Sequence, residues 1–218
     1  QNLGCAGVAK GLRNAQASIA SDLAKVVVVV ASNMTSAQLV RERYADQSRK
    51  GFEWTWLSPA VFADGAAAMV LTNDAAAGHG LLGVGYETHP EIELVRFPGG
   101  GGLNVTRVDN VDEHAYVMDA AAVSQAFSVY MQRNLELMAS HPGTKGVTPH
   151  ECARVYIHQA NAPLVHAFAR TLGLPDTQVP INIDRLGNTS SASTLLLLDE
   201  DRKSGRVKAG DVVLFLWI

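Results

Sequence analysis

With 218 residues, 47% of them hydrophobic and 18% charged, the chain can bury a substantial core, which excludes a disordered or fibrous polypeptide. Its 18 Lys and Arg against 21 Asp and Glu leave a net charge of −3 and form no basic stripe, so the electrostatic footprint of a nucleic-acid binder is missing. The apolar runs, 26–31 among them, fall far short of the roughly 20 residues of a membrane span and no basic-then-apolar leader opens the chain, so a cytoplasmic protein with no membrane partner is expected.

Cys5-Ala6-Gly7 leads into 8–20, where Val8, Leu12, Ala15 and Ile19 recur at helical spacing, predicting a helix with Cys5 at or just before its N-terminus. The helix dipole and free N–H groups favour a thiolate there. Read alone, Cys5 is a buried structural cysteine, the commonest state of a free Cys. Flanking Gly4 and Gly7 weigh against that, because they allow a tight turn and close approach of a ligand. With only Cys5 and Cys152 there is no disulfide framework. The sequons at Asn33, Asn104 and Asn188 are coincidence in a cytoplasmic chain.

The run 26–31 has no alternation and is β-branched almost throughout, which predicts a central parallel strand covered on both faces. Residues 33–58 read as a solvated surface segment before Trp54 and Trp56, which either line a pocket or pack under a loop. A turn at Ala63-Asp64-Gly65 then opens a strand of small residues to Leu71, with Asp64 fixing the turn through backbone N–H groups. Residues 80–86 predict another strand. The loop Pro98-Gly99-Gly100-Gly101-Gly102 lacks the spacing of a dinucleotide fingerprint.

Residues 116–138 predict a long helix stopped by His141-Pro142-Gly143. A short strand over 153–157 delivers His158 at its C-terminal end, the edge where α/β sheets place ligands. Helices over 162–172 and 190–203 and a final apolar strand over 211–218 complete an α/β pattern. The chain starts on Gln1 with no strand ahead of Cys5 and stops on an apolar strand, so part of a longer product is expected.

Taken singly, His158 is more simply a structural histidine and Asn188 a helix N-terminal device. Together with Cys5 they suit two chemistries. A papain-like protease uses an Asn to orient the His that activates the Cys, with His and Asn roughly 130 to 150 residues downstream. Here they lie 153 and 183 positions downstream, without the Cys-Gly-Ser/Ala-Cys-Trp/Tyr context. In the second chemistry a thiolate takes an acyl group from a thioester. Neutral His and Asn then donate hydrogen bonds to a second thioester as it loses CO₂ and becomes an enolate.

His158-Gln159-Ala160-Asn161, Gly187-Asn188-Thr189-Ser190-Ser191-Ala192-Ser193, Gly4-Cys5-Ala6-Gly7 and Phe62-Ala63-Asp64-Gly65-Ala66 together resemble β-ketoacyl-acyl-carrier-protein synthase III and its relatives in the thiolase superfamily. The resemblance implies an α/β, five-layer αβαβα thiolase-like fold. Residues 1–78 would be the end of its N-terminal half, and 79–218 a C-terminal half lacking its last strand. It implies Cys5 as the acylated nucleophile, its backbone N–H in the oxyanion hole, and His158 and Asn188 as the groups that promote decarboxylation. It further implies a homodimer acting on acyl-carrier-protein or coenzyme A thioesters in fatty acid or polyketide biosynthesis, with no tightly bound cofactor and no metal. Ala162-Pro163 stand where typical members carry an arginine that contacts the carrier or coenzyme A, which favours a specialised-metabolism synthase, and Ala63 replaces a common glycine. A catalytically silent partner subunit is a third possibility, opposed by the presence of all three side chains.

Overall fold

A 3-10 turn, Gly4–Ala6, runs into helix α1, Gly7–Ala20, in a computed structural model that describes residues 4–36, 60–74, 80–89, 94–96 and 117–218. Trp54, Trp56, the 98–102 glycine loop and Asn104 lie outside the described residues. The helix buries Val8, Leu12 and Ala15 of the predicted stripe together with Ala9, and leaves Ile19 half-buried. It lies close on strand β1, Val26–Asn33, because Gly11 has no side chain: a Cβ there would sit 2.8 Å from Val29 Cγ1.

Strand β1 pairs antiparallel with β2, Gly65–Thr72, in a register from Val26↔Thr72 to Asn33↔Gly65. The expectation of a parallel strand covered on both faces is therefore corrected. Val29 and Ala31 face α1 and are buried, whereas Val26, Val28 and Val30 are 58%, 56% and 67% exposed. An unbroken β-branched run satisfies one covered face as readily as two, and among the described residues nothing covers the second. Asp64 does bond a backbone N–H, but that of Ser36 beyond the end of β1, at 2.8 Å from Oδ1.

The strand predicted over 80–86 forms no ladder. The segment instead runs against the C-terminal end of helix α2, Ala120–Ser140, and its glycines serve that contact. A Cβ on Gly83 would meet His141 Nδ1 at 2.4 Å, and one on Gly85 would meet Leu137 Cβ at 2.9 Å. The helix predicted from 116 begins at 120. Asp119 caps it in an extended conformation by accepting the Ala122 N–H at 2.9 Å, and Val117–Met118 (β4) pairs with Val95–Arg96 (β3) instead.

The second sheet sets the frame for the site. β5, Arg154–Ile157, lies parallel to β6, Val213–Leu216, in the register Arg154↔Val213 to Ile157↔Leu216. Between them in sequence come helix α3, Ala162–Thr171, the short helix α4, Ile183–Leu186, the 3-10 turn Ser190–Ala192 and helix α5, Ser193–Lys203. Alternation along β6 separates two cores. Leu216 joins Phe127, Met131, Val155, Ile157, Val165 and Phe168, while Phe215 and Trp217 pack with Val8, Leu12, Val29 and Leu195. Fully burying a side chain such as Phe127 or Met131 contributes about 1.5–3 kcal/mol.

A buried carboxylate ties β5 to the end of α5. Asp201, 2% exposed, accepts from Arg154 Nε at 2.9 Å and Tyr156 Oη at 3.0 Å through Oδ2, and from Arg206 Nε at 2.7 Å through Oδ1. Burial and the neighbouring Asp201 charge hold the Tyr156 phenol neutral, so it stays a donor. Among the described residues, no helix is long and apolar enough to cross a membrane.

Candidate active site

Three separate elements bring Cys5, His158 and Asn188 together. Cys5 sits half-buried in the 3-10 turn that leads into α1, at the positive end of a 14-residue helix. His158 follows the last residue of β5, and its N–H continues the ladder by donating to the Leu216 carbonyl at 2.8 Å. Its ring is buried against the edge of Phe127, 6.4 Å away between centroids. Asn188 follows Gly187, whose φ of 68° ends α4 in a conformation that favours glycine. Residues 61–63 then clamp Asn188: its N–H donates to Val61 O at 2.8 Å, and its carbonyl accepts from Ala63 N at 2.9 Å.

Hydrogen bonds within the protein set the direction of each polar group. The Asn188 Oδ1 accepts the Ser190 N–H at 2.8 Å, which fixes the amide and leaves its NH₂ as the donor end of the side chain. The Ser190 hydroxyl donates to Cys5 Sγ at 3.4 Å. His158 Nδ1 lies 2.7 Å from the Ile218 carbonyl and 3.4 Å from the Ile218 N–H. The carbonyl suits an imidazolium, which needs an acceptor at Nδ1. The N–H suits the neutral tautomer that keeps its proton on Nε2. In either state Nε2–H remains available.

Gln159 and Asn182 link the two halves of the site from behind. Gln159, 1% exposed, donates from Nε2 to Ile157 O at 2.8 Å and accepts the Asn182 N–H at 3.1 Å. Asn182 Nδ2 reaches Ser193 O at 3.0 Å, and Ser193 Oγ in turn receives the Thr189 N–H at 3.0 Å. The loop carrying His158 is thus joined to the turn carrying Asn188. Asn161, the last residue of the His-Gln-Ala-Asn motif, caps α3 by accepting the Leu164 N–H at 2.9 Å, with Pro163 in the first turn.

Burial disfavours charge on both Cys5 and His158, yet each outweighs that penalty for the other. Coulombic attraction and a shared hydrogen bond lower the Cys5 pKa and raise that of His158. Each group thus favours the charged form of the other, the direction that nucleophilic catalysis by cysteine uses. Cys152 is the opposite case: burial in the core, helped by Glu151, pushes its thiol up to about 11.

Iodoacetamide at about pH 8 is accordingly expected to alkylate Cys5 and spare Cys152, whose thiolate fraction there is roughly one in a thousand. Peptide mapping that found Cys152 modified as fast as Cys5 would contradict the ion pair. A cleft of about 1010 Å³ lies beside β6 and touches the site only at Ala6 and Ile218; Cys5, His158 and Asn188 do not line it. Among the described residues no group of three or more His, Cys, Asp or Glu could hold a metal ion.

Sequence reasoning missed the contributions of Ser190, Gln159 and Asn182. Each lies inside or beside a recognised motif, but nothing in residue type or spacing distinguishes a hydroxyl aimed at sulfur from one that caps a helix.

Residues 1–90 match the family profile described as 3-Oxoacyl-[acyl-carrier-protein (ACP)] synthase III, and residues 143–217 match the profile of its C terminal part. A β-ketoacyl-[acyl-carrier-protein] synthase III of Aquifex aeolicus is 29% identical over 211 residues, 96% of this chain and 59% of that protein. The crystal structure of 3-oxoacyl-(acyl carrier protein) synthase III from Pseudomonas aeruginosa superposes with a TM-score of 0.72 at 26% identity, covering 97% of this chain and 60% of that one. OleA of Xanthomonas campestris, with bound lauric acid and lauroyl-CoA, shares the fold with a TM-score of 0.77 at 20% identity, covering 99% of this chain and 60% of that chain.

The thiolase-like α/β fold expected from the motifs is borne out by these structures. This chain spans about three-fifths of the length of each of these relatives. A papain-like site is not supported, because it needs Asn188 to hold the imidazole. Here Ile218 holds Nδ1, and the Asn188 carbonyl oxygen is engaged by Ser190. Nor do the matches support a non-catalytic partner subunit.

Proposed function

Because the chain belongs to the 3-oxoacyl-[acyl-carrier-protein] synthase III family, we propose that the protein it represents is an acyltransferase catalysing decarboxylative Claisen condensation, with Cys5, His158 and Asn188 as its catalytic residues. The observation that carries the proposal is the joining of all three side chains: His158 hydrogen-bonds Cys5, and Ser190 donates both to Cys5 Sγ and to Asn188 Oδ1.

The Cys5 thiolate attacks the carbonyl of an acyl thioester, and the Cys5 backbone N–H, at the start of α1, stabilises the oxyanion. Collapse expels the carrier thiolate, which takes the proton of the His158 imidazolium and leaves as a thiol. The imidazole is now neutral. With Nδ1 accepting the Ile218 N–H and Asn188 Oδ1 accepting the Ser190 N–H, the imidazole Nε2–H and the Asn188 NH₂ serve as the two donors of this step. A malonyl-type thioester loses CO₂, and its enolate oxygen receives both hydrogen bonds. The enolate carbon attacks the acyl group on Cys5, a carbon–carbon bond forms, and the Cys5–acyl bond breaks to return the thiolate. One proton from solvent restores the imidazolium. Two donors aimed at one oxygen fit enolate stabilisation better than a base held by an orienting residue.

Carrier-protein or coenzyme A thioesters are the substrates in this reading, with no resident cofactor. The enzyme works as a homodimer in the cytoplasm, in fatty acid or polyketide biosynthesis. Residues 1–78 form the end of its first thiolase-like half and 79–218 most of the second. Incubating the intact protein with an acyl-coenzyme A should add one acyl mass to Cys5, read by intact-mass spectrometry and peptide mapping. No adduct, or an adduct that persists in Cys5→Ala, defeats the proposal.

A further inference from the structure

Ser190 has a backbone that calls for explanation. Its φ is +57°, and Asp22 is the only other non-glycine residue at positive φ among the described residues. Asp22 follows the end of α1 in an exposed turn, where a short polar side chain tolerates this conformation. Ser190 instead opens a 3-10 turn that packs against the Gly4–Ala6 turn, and glycine would adopt the same backbone without strain. Serine therefore brings a hydroxyl to a place where glycine would fit the backbone better.

The hydroxyl of Ser190 donates to Cys5 Sγ at 3.4 Å, and the Ser190 N–H donates to Asn188 Oδ1 at 2.8 Å. One strained residue thus holds the sulfur and the amide at once. We propose that Ser190 is a catalytic residue whose hydroxyl hydrogen-bonds the Cys5 thiolate in the resting enzyme, while its left-handed backbone aims the Asn188 amide into the site. The bond discriminates between states of the sulfur. A thiolate is a strong acceptor, whereas the sulfur of an acyl-thioester is a weak one, so the hydroxyl favours the free enzyme's charged form and loosens once the acyl group is on.

The groups acting on Cys5 are few. His158 reaches it from the loop after β5 and is the titratable group that acts on it, Ser190 reaches it from the turn before α5, and the start of α1 supplies the neutral backbone donor. Removing the hydroxyl leaves the imidazolium in place, so the thiolate is weakened and still formed.

This inference rests on the reading of Cys5 as nucleophile, but its test needs no acyl substrate. The rate of Cys5 alkylation by iodoacetamide, followed on the intact protein by peptide mass between about pH 5 and 9, reports thiolate formation directly. Ser190→Ala removes the hydroxyl and retains the strained backbone, whereas Ser190→Gly removes both. Both variants are expected to shift the profile to higher pH, with an alkylation rate on the acid limb about tenfold lower than in the parent protein, the consequence of roughly one pH unit. Two profiles that superimpose on the parent overturn the proposal. So does a shift in Ser190→Ala that Ser190→Gly does not share, because backbone geometry would then be the cause. A shifted profile in a protein that never takes an acyl group on Cys5 counts against the condensing activity and leaves the Ser190–Cys5 bond standing.

Discussion

Replacing His158 with alanine is expected to lower CO₂ release from a malonyl thioester by a factor of about 10² to 10³, the usual consequence of removing one preorganised donor to a developing oxyanion. The loss has two sources that separate experimentally. In the proposed mechanism His158 donates to the enolate oxygen in the second half of the reaction, and its charged form favours ionised Cys5 in the first. In the variant the Cys5 thiol loses its Coulombic partner while its burial remains, so its alkylation profile moves to higher pH. Since His158 outweighs the effect of burial and holds the Cys5 pKa below its ordinary value of 9.0, the thiolate persists further below pH 9 than that of a free thiol, and that is the window in which the variant should lose reactivity. Decarboxylation measured on protein already acylated at Cys5 isolates the second role. Near-parental CO₂ release there would assign enolate stabilisation to Asn188 alone, and near-parental activity overall would remove His158 from the mechanism.

Substituting Asp201 by alanine is expected to cost about 3–5 kcal/mol of folding stability, a large part of the 5–15 kcal/mol typical of a domain. The carboxylate is 2% exposed and meets three donors, so its removal leaves the Tyr156 hydroxyl without its acceptor and the largely buried Arg154 without its counter-charge, though Arg154 still donates to Thr177 O at 2.6 Å. Arg206 is about half exposed and can turn to solvent, so its share of the loss is small. Tyr156→Phe, which deletes one neutral donor to a carboxylate that keeps two others, should cost nearer 1 kcal/mol. Urea unfolding of the intact protein tests the order of these effects. An Asp201→Ala midpoint equal to that of Tyr156→Phe would mean that the guanidinium contacts contribute little. Because β5 delivers His158, the same lesion should also impair the site while much of the chain stays folded.

The site was legible because its residues sit in compact motifs whose elements are locally determined. Cys5 precedes an amphipathic stripe of which Val8, Leu12 and Ala15 are buried as predicted, and the apolar run 155–157 reads as a buried strand with His158 at its end. Features that depend on distant partners were not legible. Asp201 lies in the acidic sequence Asp199-Glu200-Asp201, which reads as a solvated helix end; its burial follows from Arg154 and Tyr156, 47 and 45 residues away. Gly83 and Gly85 lie in a segment that reads as a strand, yet their role is to admit His141 and Leu137. Asp119 was a readable signal that went unread: a helix cap two residues into an apolar pattern that ran on through it. The left-handed backbone of Ser190 leaves no trace in propensity, since serine is unremarkable before a helix.

The uncovered side of the β1–β2 ribbon has a consequence for handling the molecule. Val26, Val28 and Val30 lie beside Ala68 and Val70 across the ladder, so one face presents branched aliphatic side chains with no charge among them. Water gains nothing by contact with such a surface, and two ribbons laid face to face at about 10 Å would dry it. That face favours self-association of this stretch of chain where no other layer covers it: Val28→Lys would oppose association, and higher concentration would promote it.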